Sequence, residues 1–145
     1  MLDTLQHQID AFLNGSPHAV VGASTNREKY GNKVLRVYQQ NTRPVFPINP
    51  FGGVIEGLAS FKSLSELVLA HRATHPAFAI HGVSIITPPA ITEQVVEECG
   101  RLGIKHLWMQ PGAESAKAVA RAEELGMNVI AGGACILVVL GYSEH

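Results

Sequence analysis

The stretch Gly22-Ala23-Ser24-Thr25-Asn26-Arg27-Glu28-Lys29-Tyr30-Gly31 concentrates groups that can hold an anion. Gly22 permits a close turn. Ser24, Thr25 and Asn26 bring hydroxyl and amide donors. Gly31 opens a segment of helical periodicity, where free N–H groups and the helix dipole favour negative charge. Arg27, Lys29 and Lys33 add positive charge on either side of Tyr30. The chemistry implied is phosphate or pyrophosphate binding; the plainer alternative is a polar strand-to-helix loop with solvated charges. The stretch is not G-x-G-x-x-G, because Ser24 stands where the second glycine would be and the loop is longer. It is not G-x-x-x-x-G-K-[ST] either, so nucleoside triphosphate hydrolysis is not suggested.

Four further motifs carry polar or rigid groups. Asn49-Pro50-Phe51 lacks the Asp or Glu that reads ribose hydroxyls in an NAD site, and Asn-Pro alone also makes a simple turn. In Thr87-Pro88-Pro89 the two prolines present a rigid apolar edge without N–H donors, on which a flat base could pack, though Pro89 also suits the first turn of a helix. In Trp108-Met109-Gln110-Pro111-Gly112, Gln110 could position a ligand or a water, or bond neighbouring loops, and Gly112 precedes a helix. Gly132-Gly133-Ala134-Cys135 places a thiol with no evident base beside it. The seven histidines are scattered, and no pair has a metal-binding spacing such as H-E-x-x-H.

These motifs need elements to position them. Leu2, Leu5, Ile9, Phe12 and Leu13 recur at helical spacing and predict an opening helix over residues 3–13, ended by Asn14-Gly15. Residues 18–23 predict a buried strand, 31–40 a helix with Val34, Leu35, Val37 and Tyr38 inward, and 44–48 a second strand. A short helix over 63–71 precedes a third strand within 77–87, strongest at 83–86. Pro88-Pro89 stops that strand and begins a helix over 90–102. A fourth strand covers 104–109, an Ala-rich helix 115–125 ends at Gly126, and a fifth strand covers 128–131. The strands are continuous apolar runs, as a sheet buried on both faces requires. The pattern predicts an α/β fold over residues 1–145 as one domain: a Rossmann-like, doubly wound parallel sheet of about five strands in three α/β/α layers, order 3-2-1-4-5. Ligands of such sheets bind at the carboxyl ends of the strands, here beside the switch between the first and fourth. Every motif above lies at such an end.

Composition narrows the function classes. Apolar residues make up 46% of the 145 and charged ones only 16%, which excludes a disordered chain. With 11 basic and 12 acidic residues the net charge is −1, so nothing draws the chain broadly to nucleic acid or to an anionic membrane. The longest apolar run, 136–140, is far too short to span a bilayer, and residues 1–15 do not read as a signal peptide. Two distant cysteines, Cys99 and Cys135, do not make a disulfide framework. The expected location is a reduced cytoplasm.

GAS-(x)6-G at 22–31, FPINP at 46–50, TPP at 87–89, WMQPG at 108–112 and Cys135 stand in one order at successive strand ends. In this the chain resembles the small stand-alone CoA-binding proteins, which are similar to the CoA-binding domain of the succinyl-CoA synthetase alpha subunit. The resemblance spans residues 18–141. It implies a Rossmann-like domain that holds coenzyme A, or an acyl-CoA, through its 3′-phospho-ADP and pyrophosphate. Residues 24–27 would meet the phosphates, and Thr87, Pro88 and Pro89 would line the nucleotide. A lysine that follows the second strand in the synthetase subunit is replaced here by Phe51 or its neighbours, so Arg27, Lys29, Lys33 or Arg43 would have to meet the phosphates. The pantetheine arm would lie near Gln110, Gly112 and Gly132. The subunit's second domain, with its phosphorylated histidine, is not expected, and the implied role is non-catalytic or regulatory. Two rivals stay open: a small NAD(P)-linked oxidoreductase and an acyl-thioester enzyme using Cys135. A homo-oligomer or a protein partner also stays open.

Overall fold

The computed structural model describes residues 4–144, and Leu2, Asp3 and His145 lie outside them. The elements are α1 (Leu5–Leu13), β1 (His18–Val21), α2 (Tyr30–Gln40), β2 (Val45–Ile48), β3 (Val54–Ile55), β4 (Leu58–Ala59), α3 (Leu64–Arg72), β5 (Gly82–Ile85), α4 (Pro89–Leu102), β6 (His106–Met109), α5 (Ala116–Glu124), β7 (Asn128–Ile130) and α6 (Ile136–Val139). The β3–β4 hairpin and α6 are absent from the sequence expectation. The hairpin strands have two residues each and α6 has four, too short for either periodicity to register.

Five strands form one parallel sheet, and period-2 alternation divides their side chains between two cores. Ala19, Val21, Val83, Ile85, Leu107 and Met109 pack with Leu64, Leu67, Val95, Val96 and Ala118 from α3, α4 and α5. Val20, Val45, Trp108 and Ile130 pack with Ile9, Phe12, Val34, Leu35, Tyr38 and Ile136 from α1, α2 and α6. β1 and β5 are buried along their whole length, which explains why they read as continuous apolar runs. Ser84, the polar exception in β5, meets the Tyr38 hydroxyl at 2.8 Å, so neither buried group lacks a partner.

The strand order corrects the expectation. Counting only the five parallel strands in chain order, the sheet runs 2-1-3-4-5 rather than 3-2-1-4-5. The place of a third strand outside β2 is taken by one residue, Phe61, whose N–H donates to the Pro47 carbonyl and whose carbonyl accepts from the Asn49 N–H. The next full strand, β5, crosses over and pairs with the other edge of β1. The switch therefore lies between β1 and β5, the first and third of the expected strands, not the first and fourth. At the opposite edge Gln8 of α1 donates through Nε2 to the Val129 carbonyl of β7 at 3.1 Å.

The amino end of the sheet closes on α1. The last carbonyls of a helix have no partner inside it, and here three residues supply one. His81 Nε2 donates to Ala11 O at 2.9 Å, His18 Nε2 to Phe12 O at 2.8 Å, and Arg43 to Leu13 O at 3.0 Å. This places Arg43 away from the strand ends where a ligand phosphate was expected. The His81 ring stacks on His106 with centroids 4.5 Å apart and meets His18 edge-on at 5.6 Å. Three of the scattered histidines are thus neighbours. Among the described residues no group of three His, Cys, Asp or Glu side chains is placed to hold a metal ion.

Candidate functional site

At the carboxyl end, Gly22 leaves β1 with φ +96°. A Cβ at Gly22 would lie 2.8 Å from the Ile86 carbonyl oxygen, and a Cβ at Gly31 would collide with the Gly22 carbonyl. The two glycines let the first turn of α2 press against the end of β1, so the intervening loop is thrown outward. The loop folds on local bonds: Asn26 N–H donates to Ser24 Oγ at 3.1 Å and Glu28 N–H to Asn26 Oδ1 at 3.0 Å. A cleft of about 900 Å³ opens between this loop, the Asn49-Pro50-Phe51 turn and the Ile86–Pro88 stretch.

Of the expected site residues, Gly22, Ser24, Thr25, Lys29, Tyr30, Gly31, Asn49, Pro50 and Pro88 line this cleft, together with Ala23, Glu28, Phe51 and Ile86. Asn49 ties the two loops together: Nδ2 donates to Ala23 O at 2.8 Å while Oδ1 accepts from Phe51 N–H at 2.8 Å. Thr87 and Pro89 stand beside the cleft. The Thr87 hydroxyl is 2.8 Å from the Thr92 hydroxyl, and Pro89 is the first residue of α4.

Other expected residues turn elsewhere. Arg27 donates to Glu56, which the β3–β4 hairpin carries at φ +49°. Glu56 also accepts from Asn32 Nδ2 at 3.0 Å, and Asn32 Nδ2 donates to Ser24 O at 2.9 Å. The buried Arg36 completes the group, donating to Asn32 Oδ1 at 2.6 Å and to Arg27 O at 2.7 Å. The Asn32 amide and the Arg27 guanidinium hold the Glu56 carboxyl below its ordinary value. Arg27 therefore braces the glycine loop from outside. Lys33 lies over the Tyr30 ring, 5.8 Å from its centroid, and 4.0 Å from Glu144. Gln110 is buried below Cys135: Oε1 accepts from Ile136 N–H at 2.8 Å, and Nε2 donates to Cys135 Sγ at 3.3 Å. Its amide serves the start of α6. Gly112 is exposed at φ +94°. Neither Gln110, Gly112 nor Cys135 lines the cleft.

The sequence reading missed Glu56, Asn32 and Arg36. The signal for the last two was present, since a polar pair four residues apart on an inward helix face demands an internal partner. Glu56 carried no such signal, because the hairpin that aims it was not legible.

Helix caps set the two helices that start at the cleft apart from α1, α3 and α5. Thr4, Ser63 and Ser115 cap α1, α3 and α5 with their own hydroxyls. The helices α2 and α4, which start at the cleft, have no side-chain cap. Among the described residues, the N–H groups of Ser24, Thr25, Tyr30 and Gly31 donate to no protein acceptor. The α4 end differs in kind, since Pro88 and Pro89 have no N–H to offer. One wall of the cleft thus supplies donors for an anion, and the facing wall supplies an apolar edge.

The CoA binding domain family matches residues 17–141. The chain belongs to this family. Among curated relatives of this CoA-binding domain, the alpha subunit of an ADP-forming acetate–CoA ligase II from Pyrococcus furiosus is 30% identical over 100 residues, covering 67% of the chain and 20% of the relative. The chain thus spans about a fifth of that subunit's length. A conserved hypothetical protein from Pyrococcus furiosus, whose structure is solved, is 34% identical with a TM-score of 0.75, covering 86% of the chain and 99% of that protein. The apo form of a dinucleotide-forming acetyl-coenzyme A synthetase 1 from Candidatus Korarchaeum cryptofilum is 27% identical with a TM-score of 0.67, covering 83% of the chain and 27% of the synthetase. Among the described residues of this family member, no helix is long and apolar enough to cross a membrane.

Proposed function

We propose that the cleft binds coenzyme A or an acyl-CoA, in a single cytoplasmic domain that recognises the nucleotide without transforming it. The observation that carries this reading is the set of unpaired N–H groups at Ser24, Thr25, Tyr30 and Gly31, which face a cleft with Pro88 on its far wall. Those donors and the α2 dipole suit a pyrophosphate. Lys29 adds a charge, and the adenine packs between Pro88 and the exposed Phe51 ring. Thr87 and Pro89 stand behind the base, and Asn26 shapes the loop. Arg27 and Lys33 support the site from behind through Glu56 and Glu144. Gln110 and Gly112 lie along the carboxyl ends toward which the pantetheine arm extends.

Among the described residues neither Cys135 nor a histidine lines the cleft. The acetate–CoA ligase chemistry of its much longer relatives is not part of the proposal. Isothermal titration of the purified chain tests it, with CoA in the cell against NADH as comparator. Micromolar CoA affinity that weakens as salt rises is expected. Undetectable CoA binding at high micromolar ligand overturns the reading, as does equal binding of NADH.

A further inference from the structure

The cleft is short of charge for the ligand proposed. Its lining residues include one cation, Lys29, and that is set against Glu28. Arg27 is engaged by Glu56 and Lys33 by Glu144. A pyrophosphate can rest on backbone N–H groups, but a further phosphate on the ribose needs a cation of its own.

One remaining lysine follows a strap bound to the turn that carries Phe51, a lining residue of the cleft. Phe61 is bound to both Pro47 and Asn49, at 3.1 and 2.9 Å. Ser60 is tied to the Gly53 carbonyl through its N–H at 2.8 Å and its hydroxyl at 2.9 Å. This strap runs along the turn that carries Phe51, and Lys62 is its next residue. The Lys62 stem passes over Gly52, with Cε 3.7 Å from where a Cβ of that residue would lie. Gly52 sits at φ +72°, so the position favours the residue that leaves this path open. The ammonium group lies one bond beyond Cε, and Phe51, which precedes Gly52 in the turn, is 92% exposed. Among the described residues Lys62 has no ion-pair partner.

Resting on the CoA reading of the cleft, we infer that Lys62 reads the 3′-phosphate of the nucleotide while Phe51 packs on its base. The two residues divide the adenosine end between them. Phe51 supplies contact that any adenine nucleotide shares. Lys62 supplies a charge that only a 3′-phosphorylated one meets. Sequence spacing hides this, because the cation comes from the strap after the hairpin rather than from the turn after β2.

The test removes the charge from each side in turn. Titrate the full chain and its Lys62→Ala, Lys62→Arg and Phe51→Ala variants with CoA and with dephospho-CoA, which lacks only the 3′-phosphate. Lys62→Ala is expected to weaken CoA about tenfold and to leave dephospho-CoA within about twofold, as for a partly solvated charge-assisted contact. Lys62→Arg should keep the preference for CoA, and Phe51→Ala should weaken both ligands alike. Lys62 and Phe51 are exposed, so these variants fold. If Lys62→Ala changes both ligands equally, or neither, the inference fails and the CoA reading stands. If the unmodified chain binds neither nucleotide, the CoA reading itself fails and takes the inference with it.

Discussion

At the amino end of the sheet, side-chain donors meet backbone acceptors: His18, His81 and Arg43 take the last three carbonyls of α1. At the carboxyl end the arrangement is reversed. Side chains of Glu56, Asn32, Arg36 and Arg27 bond one another and hold the glycine loop from behind, while four backbone N–H groups in front of it stay unpaired. Both ends gather polar residues at the rim of one apolar sheet. The end whose side chains take up the helix carbonyls anchors a helix. The other end is held in shape by a network lying out of a ligand's way.

The sharpest way to break the contrast is to fill the glycine juncture. A Cβ at Gly31 collides with the Gly22 carbonyl, which is backbone and cannot move without shifting the end of β1. Gly31→Ala is therefore expected to destabilise by about 3 kcal/mol, against the small gain that Gly→Ala brings elsewhere in a helix. That corresponds to roughly 10 °C in Tm for a chain of this size, measured by calorimetry. CoA binding should be lost in the same variant, because the N–H groups move with the turn. A neutral or stabilising result would show that the juncture is not tight.

Acid breaks the other end. Burial holds His18 at about 4 against an ordinary 6.5, and its Nδ1 has no partner when Nε2 donates to Phe12. The unfolded chain therefore binds the proton more readily, so stability is full above pH 6.5 and falls as pH drops toward 4. Between pH 7 and pH 5 the loss from this one group is about 2 kcal/mol. His106, held below its ordinary value by burial and by His81, adds with the same sign. Urea denaturation at the two pH values measures it, and His18→Gln should remove most of the slope. An unchanged slope in that variant would place the acid sensitivity elsewhere.

The smallest effect falls on the network behind the loop. Arg27 is half-exposed, so its pair with Glu56 is screened. Glu56→Ala should cost about 1 kcal/mol in stability, yet weaken CoA about fivefold by loosening the donors, as lost preorganisation does. Denaturation and titration of the one variant separate the two. A change in stability with no change in affinity would mean that the network merely supports the fold.

Legibility in the sequence follows the same contrast. The parallel strands and α1 to α5 were readable because periodicity reports burial, and β1 and β5 are buried throughout. The glycine loop was readable because glycines, prolines and strand ends coincide. The strand order was not, because one residue, Phe61, stands where a third strand was expected, and one bridge leaves no periodic trace. Charge was legible only in type and spacing. Arg27 and Lys33 have the right type and spacing for phosphate, but Glu56 and Glu144, far along the chain, engage them. Pairing between distant residues is what local composition cannot report.

The two ties at the margins of the sheet have a further consequence. An open strand edge is a template for another chain, and β2 and β7 are the two such edges here. β2 contains Pro47, which has no N–H to donate, and its carbonyl is already taken by Phe61. β7 is three residues long, and its middle carbonyl is taken by Gln8. Neither margin offers a run of free groups for a second copy to zip onto. Self-association through a continuous intermolecular sheet, and the fibrous growth that can follow from it, is blocked at both sides by a handful of bonds.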